Sequence, residues 1–356
     1  MSQTNISASF CCMPIRVGIV GTGYAAKARA EALKGDEQFL SCGMQPLAEE
    51  MRKRKQNPTR SLLVTVAGHT PETAEAFSQT FQVQSTTSWQ QLVEREDLDL
   101  VIISTINRDH GAIARAALEN DKHIIVEYPL SLDPTEAESL VSLAAKKNKL
   151  LHVEHIELLG GLHNAIKQSL SKIGKIFYAR YVTINSKQPA PQKWTYRSSL
   201  FGFPFVGALS RLHRFTDLFG QVDAVNCQSQ FWYTDIDLYK ACLCNAQLRF
   251  NNDVIGEVVY GKGETFCQSE NIFTLYGEKG TLIFTPQQGQ LLQGEKIQSI
   301  EVGARRGLFA KDTKMVIEHL LEGTPLYVTP EASLYTLKVA DFTRKASETG
   351  KTIELK

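Results

Sequence analysis

Residues 15–26 read Ile15-Arg16-Val17-Gly18-Ile19-Val20-Gly21-Thr22-Gly23-Tyr24-Ala25-Ala26. The first six are β-branched and almost continuously apolar, the pattern of a strand buried on both faces of a parallel sheet. A G-x-G-x-x-A turn follows, and Ala25 through Leu33 favours helix. In that order the pieces imply a geometry. Gly21 permits a tight turn, Gly23 admits a pyrophosphate close to the backbone, and Ala26 lets the helix sit near the sheet. Free amides at the helix start then face the phosphate charge. Gly21, Thr22, Gly23, Tyr24 and Ala25 are thus expected to hold a dinucleotide.

Working outward, strand and helix candidates alternate. Strands are predicted at Leu62–Ala67, Leu100–Ser104, His123–Glu127 and Leu151–Glu154. Helices are predicted from Pro71 to about Thr80, at Trp89–Glu94, His110–Glu119 and Pro134–Asn148, the first capped by Thr70. Such alternation implies a mostly parallel sheet covered by helices. The charged stretch Asp36–Arg60, with Met51-Arg52-Lys53-Arg54-Lys55, is long for a connection and reads as a surface excursion. Beyond about residue 170 the grammar changes. Short strand candidates follow one another through turns such as Asn251-Asn252-Asp253 and Gly277-Glu278-Lys279-Gly280. Helices are expected at Lys311–Leu321 and Glu331–Glu348.

The expected fold is an α/β Rossmann-type domain followed by an α+β domain with a large, mainly antiparallel sheet. The expected division is a loose tail over 1–13, a dinucleotide-binding domain over 14–135 with the excursion at 36–60, and a substrate domain over 136–356. The second sheet offers a surface for self-association.

Composition narrows the function. The 356 residues are 43% hydrophobic, and 39 Lys plus Arg nearly cancel 38 Asp plus Glu, for a formal net charge of +1. That balance gives no global field for a polyanion, so nucleic-acid and membrane-surface binding are not expected. No stretch reaches membrane-spanning length. Seven cysteines, without a CxxC pair, suggest neither a zinc site nor a disulfide framework, so a reducing cytoplasm is expected and no metal.

Cofactor type is read at the end of the second strand, where NAD sites usually place an acid for the ribose 2′-hydroxyl. Here Val64-Thr65-Val66-Ala67-Gly68-His69-Thr70 carries none. NADPH is therefore expected over NADH, with His69 or Thr70 donating to a 2′-phosphate.

The glycine turn, Ser104-Thr105-Ile106-Asn107-Arg108-Asp109-His110 and His123-Ile124-Ile125-Val126-Glu127-Tyr128-Pro129 together resemble the glucose–fructose oxidoreductase/inositol dehydrogenase superfamily. The resemblance runs over nearly the whole chain from residue 15. It implies that Thr105, Asn107 and His110 lie near the cofactor. It also implies that the Glu127-Tyr128-Pro129 turn, commonly with a cis proline, reaches the nicotinamide. Two departures matter. The family's lysine in Glu-Lys-Pro is replaced by Tyr128, and Arg211 and Phe215 stand where many members carry an Asp…His pair. Oxidising a carbinol requires a base, so ordinary sugar dehydrogenation is not expected.

Glu127-Tyr128-Pro129, Leu151-His152-Val153-Glu154-His155-Ile156-Glu157, Trp194-Thr195-Tyr196, Phe201-Gly202-Phe203-Pro204 and Leu209-Ser210-Arg211 are more specifically similar to the cyanobacterial-type biliverdin reductases. That similarity implies reduction of biliverdin IXα to bilirubin, with hydride delivered to the C10 methine bridge. A flat tetrapyrrole with two propionates needs aromatic faces and cations. Trp194, Phe201, Phe203 and Phe215, with Arg211 and Arg214, are the expected substrate contacts. Arg211 is expected to steady the electron-rich transition state, and Tyr128 to position the reactants. Glu127 is expected to contact the nicotinamide ribose or tune a neighbour. His155 reads equally as a proton relay or a hydrogen-bonded structural residue. Two alternatives stay open: another NAD(P)-dependent reductase of a conjugated, carboxylate-bearing substrate, and a non-catalytic NAD(P)-binding sensor.

Overall fold

The structure is a computed structural model that describes residues 13–38, 60–304 and 306–355. Most of the 1–13 tail and of the 36–60 excursion therefore lies outside the described residues.

Ile15–Val20 (β1) begins the first sheet, joined by Ser61–Ala67 (β2), Gln84–Thr86 (β3), Leu100–Ile103 (β4), His123–Glu127 (β5) and Leu151–Glu154 (β6). All pair in parallel, in the order β3-β2-β1-β4-β5-β6. The chain moves away from β1 in both directions, so a crevice opens at the strands' carboxyl ends between β1 and β4. β1, β4 and β5 are buried on both faces, as their continuous apolar runs require. β6 keeps this sheet going past the division expected at 135. The charged helix Pro134–Lys147 before it is the crossover between β5 and β6, not the start of a new domain.

The second sheet has nine strands: Ile176–Ser186 (β7), Val222–Tyr233 (β8), Tyr239–Phe250 (β9), Ile255–Gly263 (β10), Glu270–Gly277 (β11), Gly280–Phe284 (β12), Gln288–Gln293 (β13), Lys296–Glu301 (β14) and Ile353–Glu354 (β15). Their order is β14-β13-β12-β11-β7-β10-β9-β8-β15. Neighbours are antiparallel except for β7 and β10. Helix Ser210–Phe219 packs its apolar face on this sheet, with the Phe215 ring 5.2 Å from Phe273 and 6.4 Å from Phe250.

One late element returns to the first domain. Helix Leu308–Glu322 contributes Val316 and Ile317 to the cluster formed by Val17, Ile19, Ala26, Ala30 and Leu33. It covers one face of the dinucleotide-binding sheet.

Candidate active site

A cleft of about 1700 Å³ opens at the carboxyl ends of β1, β4 and β5 and runs to the wall formed by Trp194 and Phe201. At its cofactor end, Gly21 has φ +115°, and a Cβ there would sit 2.0 Å from the Ser104 carbonyl oxygen. The turn thus tolerates no side chain. Gly23 differs: a Cβ there meets nothing within 4 Å and points into open cleft. Helix Tyr24–Gln38 begins beside it with no acid in its first turn, so its amides face a site ready for an anion. These features fit a dinucleotide pyrophosphate. Gly23→Val should leave the fold intact yet raise the KM for NADPH by about tenfold or more, a loss of ~1.4 kcal/mol. A thermal melt paired with cofactor titration checks this, and an unchanged KM would refute the assignment.

Thr22, Tyr24, Ala25, His69, Thr105, Asn107 and His110 all line the cleft, as do Glu127 and Tyr128. Thr70 does not. Its hydroxyl accepts from Thr73 N at 3.3 Å and caps helix Pro71–Phe81, so it stands outside the cleft lining at the end of β2. His110 ties two turns together, with Nδ1 2.8 Å from the Pro129 carbonyl and Nε2 3.2 Å from that of Thr105. Burial lowers its pKa, although both carbonyls oppose that shift. Asn107 Nδ2 donates to the Phe201 carbonyl at 3.0 Å, linking the cofactor domain to the substrate wall. The Tyr128–Pro129 peptide is cis.

Beneath the Glu127–Tyr128 turn lies a network that sequence reading missed. Arg29, fully buried, donates Nε to Glu127 at 2.7 Å and Nη1 to Asp312 at 2.7 Å. Burial would raise the Asp312 carboxyl, but Arg29 and His152 hold it well below the usual carboxylate range. Glu154 sits opposite Glu127 across the β5–β6 pair. Burial and the adjacent Glu127 carboxylate push Glu154 well above its ordinary pKa, so it keeps a proton toward Glu127. One signal was available: Arg29 falls on the stripe of Ala26, Ala30 and Leu33, where a charge demands partners.

Tyr128 donates to Ser210 Oγ at 3.1 Å, and Arg211 Nη1 donates to the same oxygen at 2.8 Å. Ser210, also missed, thereby joins the two residues singled out for chemistry. Arg211 is only partly exposed and lies behind Tyr128, not on the cleft wall. Its guanidinium rests over Tyr260, makes no ion pair among the described residues, and leaves Nε without a partner.

Other expected substrate contacts are corrected. Phe215 is fully buried in the aromatic stack of the second sheet. Arg214 is buried and paired with Glu157 at 2.7 Å. Phe203 packs against Phe205 and does not line the cleft. Interleaved aromatic and basic residues on short helices divide between core and cleft by helical phase, and the sequence pattern did not resolve that phase. His155 is buried behind Tyr128, stacked at 5.4 Å, with Nε2 2.8 Å from Ser333 Oγ. Burial and the nearby His213 and His152 lower its pKa far below the usual value, so it stays neutral. Of its two readings, the hydrogen-bonded structural one fits this position.

Comparison with known proteins agrees with this architecture. The oxidoreductase family with an NAD-binding Rossmann fold matches residues 15–155, and its C-terminal alpha/beta domain matches 167–355. A solved biliverdin reductase from Synechocystis sp. PCC 6803, in complex with biliverdin and NADP+, is 50% identical, covering 94% of this chain and 100% of its own, with a TM-score of 0.87. Biliverdin reductase A of Mus musculus is 26% identical over 234 residues, 66% of this chain and 70% of its own. An NAD-binding oxidoreductase from Klebsiella pneumoniae shares the fold at 15% identity, with a TM-score of 0.78 over 97% of this chain and 100% of its own. The chain belongs to the oxidoreductase family defined by an NAD-binding Rossmann fold and a C-terminal alpha/beta domain.

Proposed function

We propose that the protein is an NADPH-dependent reductase that converts biliverdin IXα to bilirubin. One observation carries this reading: half of all aligned positions, over the full length of the Synechocystis biliverdin reductase, are identical. The cleft supports it by joining a phosphate-ready glycine turn to the aromatic wall of Trp194 and Phe201. When bound, NADPH supplies the hydride for the C10 methine bridge. The chain's own residues orient the tetrapyrrole, favour the added electron density and leave a route for one proton to a pyrrole nitrogen. His69 lines the cleft near the end of β2, where no acid opposes a 2′-phosphate.

Incubation with NADPH and biliverdin tests the function. Expected are many turnovers, loss of NADPH absorbance and appearance of bilirubin absorbance. Binding without turnover would favour a sensor. A clear kcat/KM advantage for NADH would overturn the cofactor choice.

Tyr128 serves here as a positioning group. Burial pushes its hydroxyl up to about 12, and the proton is already engaged with Ser210. Tyr128→Phe should keep kcat within roughly tenfold of wild type, because general acid catalysis by the phenol is not required. Abolished turnover would make the hydroxyl a chemical participant.

Among the described residues, no helix is long and apolar enough to cross a membrane. The free thiols of Cys227, Cys242 and Cys244 suit the reducing cytoplasm proposed for the protein. Self-association through the nine-stranded sheet is part of the same proposal, supported by the exposed Ile255 and Tyr276 side chains on it. Light scattering across concentration tests it.

A further inference from the structure

β10 reads Ile255-Gly256-Glu257-Val258-Val259-Tyr260-Gly261-Lys262-Gly263, so Val258, Tyr260 and Lys262 share one face. That face is buried, and a lysine occupies an apolar position on it, 5% exposed. Among the described residues no carboxylate pairs with its ammonium. Aromatic rings enclose it instead: Nζ lies 3.8 Å from the Phe201 ring centroid, 4.7 Å from that of Tyr196, 5.2 Å from Tyr239 and 5.9 Å from Tyr260. Nζ also donates to the Thr195 carbonyl, which accepts a second bond from Tyr239 at 3.1 Å. An ammonium in low dielectric without a counter-ion is costly, and ring faces with a carbonyl offset only part of that cost.

What the lysine holds is the substrate wall. Thr195 lies between Trp194 and Tyr196, and Trp194 and Phe201 face the cleft. The far end of this wall is fixed to the cofactor domain through Asn107 and the Phe201 carbonyl. The near end is held by Lys262 and Tyr239. We propose that Lys262 is a positioning residue that sets the Trp194–Phe201 wall and so determines how tightly the cleft takes a planar tetrapyrrole dianion. The inference rests on the biliverdin-reducing function proposed above and adds a determinant of substrate binding to it. A cation suits the role better than an apolar residue for two reasons. It grips a backbone carbonyl and several rings from one point. With Arg211 nearby, it also places a second unpaired positive charge behind the wall, a field that would favour an anionic ligand.

The charge state of this clamp changes near neutral pH. Burial, opposed by Cys242 and reinforced by Arg211, pushes Lys262 down to about 8. The other groups facing it titrate elsewhere. Burial raises Cys242 to about 11 and lifts Cys244, Tyr196, Tyr239 and Tyr260 above their ordinary values, while Arg211 stays charged. As pH rises through about 8 the ammonium is lost and the grip on Thr195 weakens.

The test compares wild type, Lys262→Met and Lys262→Arg from pH 6.5 to 9.5. In wild type the KM for biliverdin should rise as pH passes 8. In Lys262→Met it should be raised by about tenfold already at pH 7, equivalent to ~1.4 kcal/mol, and be flat across that range. Lys262→Arg should remove the step near pH 8, whatever its KM. The KM for NADPH should change in none of them. A Lys262→Met enzyme with wild-type KM and the same pH profile would overturn the inference. A second readout needs no substrate. In a Trp89→Phe/Trp232→Phe background, Trp194 is the remaining tryptophan. Its emission should titrate near pH 8 when Lys262 is present and stay constant when Lys262→Met is added. If biliverdin is not turned over at all, the proposed function fails, and this emission alone decides for or against the clamp.

Discussion

Arg211→Ala is expected to lower kcat for biliverdin by about 10²–10³-fold, the loss typical when a preorganised stabiliser of developing charge is removed. Arg211 is held in place by Ser210 and Tyr260 and makes no ion pair among the described residues. Its field is therefore not cancelled locally, and in the proposed reaction it would act through the buried surroundings of Tyr128. In that proposed reaction, hydride arrival at C10 puts electron density into the pyrrole system, and a nearby fixed cation would lower the energy of that state. Arg211 is not the proton donor in this scheme, because a guanidinium releases its proton reluctantly. In the proposed reaction, water or a substrate propionate carries the proton. Ser210 still accepts from Tyr128 after the substitution, so the Tm should change little. Arg211→Lys keeps a charge but loses the planar fork, and should fall between the two. Steady-state rates with melting curves decide the matter; turnover near wild type in Arg211→Ala would take the residue out of the mechanism.

Arg29→Met should cost about 3–5 kcal/mol of stability, because it strands the buried Asp312 carboxylate and leaves Glu127 beside Glu154 without a cation. The double variant Arg29→Met/Asp312→Leu should be less destabilised than the sum of its parts, since replacing both charges leaves no orphan. The pH dependence follows from the direction of each shift. Asp312 is depressed in the fold, so its contribution is present above the unfolded carboxylate pKa and is lost as pH falls toward its folded value. Glu154 is raised, so its contribution has the opposite slope: it favours the fold at low pH and fades as pH climbs above the ordinary carboxylate range. Without Arg29, Asp312 loses its main cation, and acid unfolding should begin at higher pH than in wild type. Urea melts from pH 3 to 8 measure both effects, and unchanged stability in Arg29→Met would show the network to be inert.

The cofactor half of the site was legible because its signals are local. Gly21 and Gly23 lie within one turn, Thr70-Pro71 caps the helix it was expected to cap, and the β-branched runs of β1, β4 and β5 admit few alternatives. The substrate half was less legible because it depends on tertiary phase. Phe201 and Phe215 look alike in sequence, yet one faces the cleft and the other the sheet core. Arg211 and Arg214 are three residues apart on one helix, and only the second meets a carboxylate, Glu157, from a distant segment. β13 and β14 carry little strand signal because Gln288–Gln293 and Lys296–Glu301 are mostly polar, and β14 is an edge strand. The Arg29 network joins residues separated by most of the chain, and no periodicity announces such partners.

Helix Leu308–Glu322 has a bearing on biogenesis. The nucleotide-binding half leaves the ribosome first, yet Val316, Ile317 and Asp312 are made much later. Until they arrive, an oily flank of the nascent sheet stays bare, and the guanidinium of Arg29 has Glu127 but not Asp312. The two halves therefore do not mature in the order of their translation: the leading half waits on the trailing one to become watertight.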